Sequence, residues 1–134
     1  MTENSLGSPA RFHDVVVIGD GPAGSALALA CVQRDLDVVL IGGDAPWTAT
    51  YGAWVDEVDR ATMLGASSVT AGGALDVGVW TSRHHQLERP YTLLDNAALR
   101  STLRRDVSRI VAKVERVVTG SDRRVGGEHA SRRG

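Results

Sequence analysis

An α/β fold built on a strand–helix–strand unit is predicted by three features near the start of this 134-residue chain. A β-branched run, Asp14–Gly19, ends in glycine. An alanine- and leucine-rich stretch follows from Ala23 to Arg34. A second β-branched run, Asp37–Ile41, is closed by Gly42-Gly43. Short continuous apolar runs of this kind read as parallel strands covered on both faces. Pro22 stands where the first helical turn accepts proline, because the N–H it lacks has no partner there.

The later elements follow in order. Asp44–Trp54 reads as a loop holding two of the three tryptophans. Val55–Leu64 reads as a helix with Val58, Met63 and Leu64 on its apolar side. Ser67–Ala74, small and glycine-rich, is expected to be a linker. Leu75–Trp80 alternates as a strand with one wet face, and Arg89–Leu94 as an extended piece fixed by Pro90. Asp95 suits an N-cap, with Leu99 and Leu103 at i, i+4 on the helix behind it. Ile110–Val118 alternates as a final strand. Residues 1–13 read as a disordered leader. Residues 121–134 carry four arginines and one aliphatic residue, which leaves them nothing to bury. They have the composition of a disordered tail read out of frame or past a misplaced gene end. One domain, 14–120, remains.

Composition narrows the function classes. Fifteen basic and sixteen acidic residues nearly cancel, so no field favours nucleic acid as a partner. One cysteine, Cys31, forms no internal disulfide and sits among alanines and leucines, so a buried core thiol in a reducing cytoplasm is expected. No apolar run approaches the ~20 residues that span a bilayer. Membrane association is therefore expected to be peripheral at most.

Gly19-Asp20-Gly21-Pro22-Ala23-Gly24 is GxGxxG with a strand before it and a helix after it, the signature of a Rossmann-type FAD- or NAD(P)-binding domain. Gly19 permits the tight turn, Gly21 lets a pyrophosphate approach the backbone, and Gly24 lets helix and strand pack closely. The helix N-terminus offers unpaired N–H groups and partial positive charge. The Pro22-Ala23 pair after the second glycine resembles flavoproteins more than simple NAD dehydrogenases. An acidic residue is expected at the end of the second strand to hold the ribose, but Gly42 stands there. Asp44, two residues on, is the candidate ligand.

From Asp14 to about Val118 the chain resembles the plant- and cyanobacterial-type lycopene cyclases. Three blocks carry the resemblance. They are Asp14–Ala28 (DVVVIGDGPAGSALA), Trp47–Glu57 with its Tyr51-Gly52-Ala53-Trp54-Val55-Asp56-Glu57, and Arg89-Pro90-Tyr91 with Asp95, Leu99 and Leu103. The resemblance implies an enzyme that holds reduced FAD, with NAD(P)H as electron donor, and closes rings at the ends of linear lycopene without net redox change. Protonation of a terminal double bond gives a carbocation, which closes the ring and loses a proton. Tyr51 and Trp54 are the implied pocket residues, and Arg89 is a candidate for a flavin phosphate. The family's acidic catalytic motif lies downstream of this chain, so an incomplete domain, inactive alone, is expected. The alternatives are a fragment of an FAD-dependent monooxygenase or oxidoreductase, and a non-functional truncated product.

Two pairs invite sharper readings. Asp56 and Glu57 are adjacent, so on a helix they are expected to point to different sides as charges at the helix start. His84-His85 lacks further ligands at metal spacing and reads as a solvated turn.

Overall fold

The computed structural model describes residues 11–64 and 68–119. The leader up to residue 10, the first residue of the linker and the 121–134 tail lie outside the described residues. Two three-stranded sheets share the chain. Strand β1 (Val15–Ile18) leads into helix α1 (Pro22–Val32) and then strand β2 (Val38–Gly42), which lies parallel to β1 from Val15↔Val38 to Ile18↔Ile41. Strand β3 (Gly52–Trp54), helix α2 (Val55–Arg60), strand β4 (Leu75–Trp80) and strand β5 (His84–Leu93) follow. Helix α3 (Asn96–Arg104) returns the chain to strand β6 (Ser108–Val111), which lies parallel to β2 on the side away from β1. The parallel sheet thus has the order β1-β2-β6, and the antiparallel sheet β3-β5-β4.

Apolar side chains weld α1 to both neighbours. One cluster joins Ala28 and Cys31 of α1 to Val17, Val38 and Leu40 of the sheet. A second joins Leu29 on the other side of α1 to Leu99 and Leu103 of α3, with Leu64 and Val69. The Asp95 cap forms as expected, its carboxylate accepting from the Ala98 N–H at 2.8 Å. The strand–helix–strand unit and the buried Cys31 also stand as read.

Several expectations are corrected. The β1 strand is not covered on both faces: Val16 and Ile18 are half exposed while Val17 is buried, because its helix packs on one face only. The Asp44–Trp54 loop ends in a strand, since Gly52, Ala53 and Trp54 pair with Leu93, Thr92 and Tyr91. The Val55–Leu64 helix stops at Arg60, where Ala61 leaves helical geometry, and resumes as a single 3-10 turn, Thr62–Leu64. His84 and His85 begin β5 opposite Trp80 and Val79 rather than forming a turn. Leu75, Val79 and Trp80 of β4 are all exposed, so both faces of that strand are wet. The final strand ends at Val111 instead of Val118; the Ala112 N–H still donates to the Gly42 carbonyl of β2 at 3.0 Å, and residues 112–119 form no strand.

Candidate functional site

The glycine turn leaves the C-terminal end of β1 and enters α1. Gly19 has φ of +104°, a backbone state that side-chain-bearing residues rarely adopt, and its N–H donates to the Ile41 carbonyl at 2.8 Å. A Cβ at position 24 would overlap the Gly19 carbonyl oxygen and touch Val17. Gly24 is therefore what allows α1 to lie on β1. At Gly21 a Cβ would meet nothing. Gly21 is also the N-cap of α1, and no side chain caps the helix there. With Pro22 and Ala23 behind it, the first turn presents uncapped backbone N–H groups beside open space, the setting that suits a phosphate.

Around the end of β2 the structure gathers residues that sequence reasoning missed. A Cβ at position 42 would overlap the Cβ, Cγ and Oδ1 of Asp20. The side chain missing at the strand end is thus replaced in space by one from the glycine turn. Asp20 Oδ2 accepts from the Asp44 N–H at 2.9 Å and lies 3.0 Å from the Arg104 guanidinium. The Arg104 side chain is largely buried. It also donates to the Asp20 carbonyl and to Ser25 Oγ, and lies over the Trp47 ring at 5.4 Å. Trp47 Nε1 donates to the same Asp20 carbonyl at 3.1 Å.

Asp44 sits in the left-handed region at φ +60°. One of its carboxylate oxygens takes Arg100 at 2.6 Å, Arg104 at 2.9 Å, and Arg109. The hydrogen bond from Arg109, with the charges of Arg109 and Arg100, holds the Asp44 carboxyl below the ordinary range. Burial, and then repulsion from Arg109 and Arg100, lowers Arg104. A cavity of about 420 Å³ opens against Asp44, Arg100, Arg104 and Arg109. The clue in the sequence was the i, i+4 spacing of Arg100 and Arg104 beside Leu99 and Leu103. That spacing puts arginines next to the packed stripe.

The second expected group assembles around Arg89. Its guanidinium lies over the Trp54 ring at 4.7 Å. Its Nε donates to Asp56 at 2.9 Å, and its Nη2 donates to Asp56 at 3.1 Å and to Glu57 at 2.7 Å. The two carboxylates do not point to different sides; both reach one arginine from the first turn of α2. Those hydrogen bonds and charges raise Arg89, and the Arg89 hydrogen bond lowers Asp56. Arg89, a candidate for a flavin phosphate, is thus engaged within the protein. Trp54 meets Tyr91 edge-on at 5.2 Å, and Tyr51 meets Trp47 edge-on at 6.2 Å. Trp47 thus contacts the glycine turn through its indole N–H and Tyr51 through its ring. Asn96 fixes that loop by donating to the Trp47 and Ala49 carbonyls, each at 2.8 Å.

Comparison with known proteins adds to this geometry. Residues 14–129 match the family described as lycopene cyclase protein. The chain is 42% identical over 100 residues to an uncharacterised carotenoid cyclase of Deinococcus radiodurans, covering 72% of this chain and 23% of that protein. It is 32% identical over 101 residues to the chloroplastic lycopene beta cyclase of Arabidopsis thaliana, covering 72% and 19%. Among solved structures, the peptidyl tryptophan dihydroxylase QhpG, essential for tryptophylquinone cofactor biogenesis, superposes with a TM-score of 0.55 at 27% identity, over 79% of this chain and 26% of that one. The chain therefore spans between 18% and 23% of the length of the first curated relatives it matches. Among the described residues no helix is long and apolar enough to cross a membrane.

Proposed function

The chain belongs to the lycopene cyclase family, and on that premise we propose that it is the dinucleotide-holding front portion of a cyclase-like flavoprotein of carotenoid biosynthesis. FAD is its cofactor, NAD(P)H the electron donor, and a linear carotene the substrate of the longer enzyme. The observation that carries this reading is the turn at Gly19–Gly24, where an uncapped helix N-terminus faces open space at Gly21.

The residues present fit a dinucleotide. The first turn of α1 would bind the pyrophosphate through backbone N–H groups such as those of Gly21 and Ala23, Pro22 having none to give but fixing the turn, and Gly19 and Gly24 hold that turn in place. Bound and reduced, the flavin would supply electron density that stabilises positive charge developing on a polyene. Tyr51 and Trp54 are the proposed pocket residues. One face of Trp54 is already covered by Arg89 and Tyr91 packs against its ring edge-on, so only the surface those two leave can meet a ligand. Arg89 itself could serve a flavin phosphate only by exchanging its carboxylates. Asp56 and Glu57 are tied to that arginine, and no residue of this chain is assigned as the acid that protonates the carotene.

A second reading, a fragment of an FAD-dependent oxygenase, draws on the structural neighbour named as a dihydroxylase. The family match across both the glycine turn and the Trp47–Glu57 segment favours the cyclase.

Titrating FAD with the purified chain, and following flavin fluorescence, tests the proposal. Gly21→Val puts a branched side chain where the pyrophosphate must approach, at a position where an added Cβ meets no neighbour. Binding by the native chain that the variant loses supports the reading. Equal binding by both overturns it.

A further inference from the structure

We infer that Asp20, the second residue of the glycine turn, is the carboxylate that holds the adenosine ribose in this chain. The inference rests on the dinucleotide reading above and names a residue within that same site. In a strand–turn–helix nucleotide site, an acid at the end of the second strand receives the ribose hydroxyls. Here that strand ends in Gly42, and the volume a side chain at 42 would fill is occupied by Cβ, Cγ and Oδ1 of Asp20. The side chain that fills the root of a residue-42 side chain is thus itself an acid, carried by the glycine turn. Glycine at 42 is what makes room for it.

The engagement of the carboxylate agrees with this role. Oδ2 is fixed by the Asp44 N–H and the Arg104 guanidinium, so the group is oriented before any ligand arrives. Oδ1 makes no hydrogen bond among the described residues and is free to accept from a hydroxyl. The side chain retains partial exposure, 16%, enough for contact from one side. Asp44 is the weaker candidate. It lies two residues past the strand end, and three guanidinium groups already crowd one of its oxygens. Arg100 and Arg109 beside it would instead favour a ribose carrying an extra phosphate, which gives the inference a definite rival.

The test compares ADP, 2′,3′-dideoxy-ADP and 2′-phospho-ADP binding to the full 134-residue chain. A carboxylate accepting from ribose hydroxyls makes ADP tighter than the dideoxy analogue by on the order of 10- to 100-fold. Asp20→Asn should erase most of that difference while leaving affinity for the dideoxy analogue near the native value. Asp20→Ala combined with Gly42→Glu returns the acid to the strand and should restore the preference. Equal native affinities for ADP and the dideoxy analogue overturn the inference without touching the glycine-turn reading. So does an Asp20→Asn chain that weakens both equally, or 2′-phospho-ADP binding more tightly than ADP. If Asp20→Asn fails to fold, Asp44→Asn decides: the ADP preference persists if Asp20 holds the ribose and vanishes if Asp44 does. Absence of adenine nucleotide binding, or binding unaffected by Gly21→Val, overturns both readings together.

Discussion

The guanidinium of Arg89 covers one face of Trp54 at 4.7 Å while its nitrogens hold Asp56 and Glu57. It therefore joins β5, the end of β3 and the start of α2 at one point. A lysine keeps the charge but lacks the planar fork and the stacking face. Arg89→Lys should lower the unfolding midpoint and reduce the near-ultraviolet circular dichroism of Trp54, while FAD affinity at the glycine turn changes less than twofold. An FAD affinity that falls at least tenfold with an unchanged midpoint would instead place Arg89 at a phosphate.

The acid limb of stability follows from the same corner and from Asp44. Both Asp44 and Asp56 are held below their ordinary range, each first by an arginine hydrogen bond. A folded value below the unfolded one stabilises the protein above about pH 4, near the ordinary aspartate value. That contribution disappears as pH falls through the depressed folded values. The unfolding midpoint should thus fall on acidification below about pH 4. Asp44→Asn with Asp56→Asn should lower the midpoint at neutral pH and flatten the acid limb. Both carboxylates are well exposed, so added salt should shrink the effect. A double variant with the native acid limb would show that other carboxylates control it.

Two glycines of the turn should respond in opposite ways. Gly24→Ala drives a methyl group into the Gly19 carbonyl, which is backbone and has little room to move. It should cost about 3 kcal/mol, at the upper end of overpacking penalties. Gly21→Ala meets no neighbour and should leave thermal unfolding within about 0.5 kcal/mol of native. Its effect should appear in nucleotide affinity alone. A thermally neutral Gly24→Ala would mean that α1 does not lie on β1 as described.

What was legible in the sequence was local. The β-branched runs around Pro22, the strand–turn–helix at the glycines and the Asp95 cap each report on a few consecutive residues, and each element forms where it was read, although β1 is covered on one face only. Cross-chain relations were not legible. Nothing in a one-dimensional pattern says that Asp20 fills the space of residue 42, or that Arg89 reaches 33 positions back to Asp56. The three-residue strand β3 was missed because its stability comes from its partner: it pairs with β5 and its Trp54 packs on Tyr91. The overlong final strand failed for the converse reason. Alternation persists to Val118, but the partner strand β2 ends at Gly42, opposite Val111.

Cyclisation itself should be absent from this chain acting alone. Cation chemistry on a polyene needs a dry, enclosed pocket and a placed acid, and both carboxylates of the Trp47–Glu57 segment are committed to Arg89. The parallel sheet is also open. Val16 and Ile18 leave one face of β1 half exposed, and Ile110 and Val111 are exposed on the outer strand β6. Apolar strand surface of this kind favours self-association. The purified chain should therefore bind a hydrophobic dye and form oligomers that light scattering detects. Val16→Thr with Ile18→Thr should reduce both signals. Expression in lycopene-accumulating cells should leave the pigment unchanged. Cyclised carotenoid produced there by this chain alone would mean that the proton donor lies within these residues. Asp56 and Glu57 would then be the first carboxylates to replace, since releasing either from Arg89 is the smallest change that frees an acid next to Trp54.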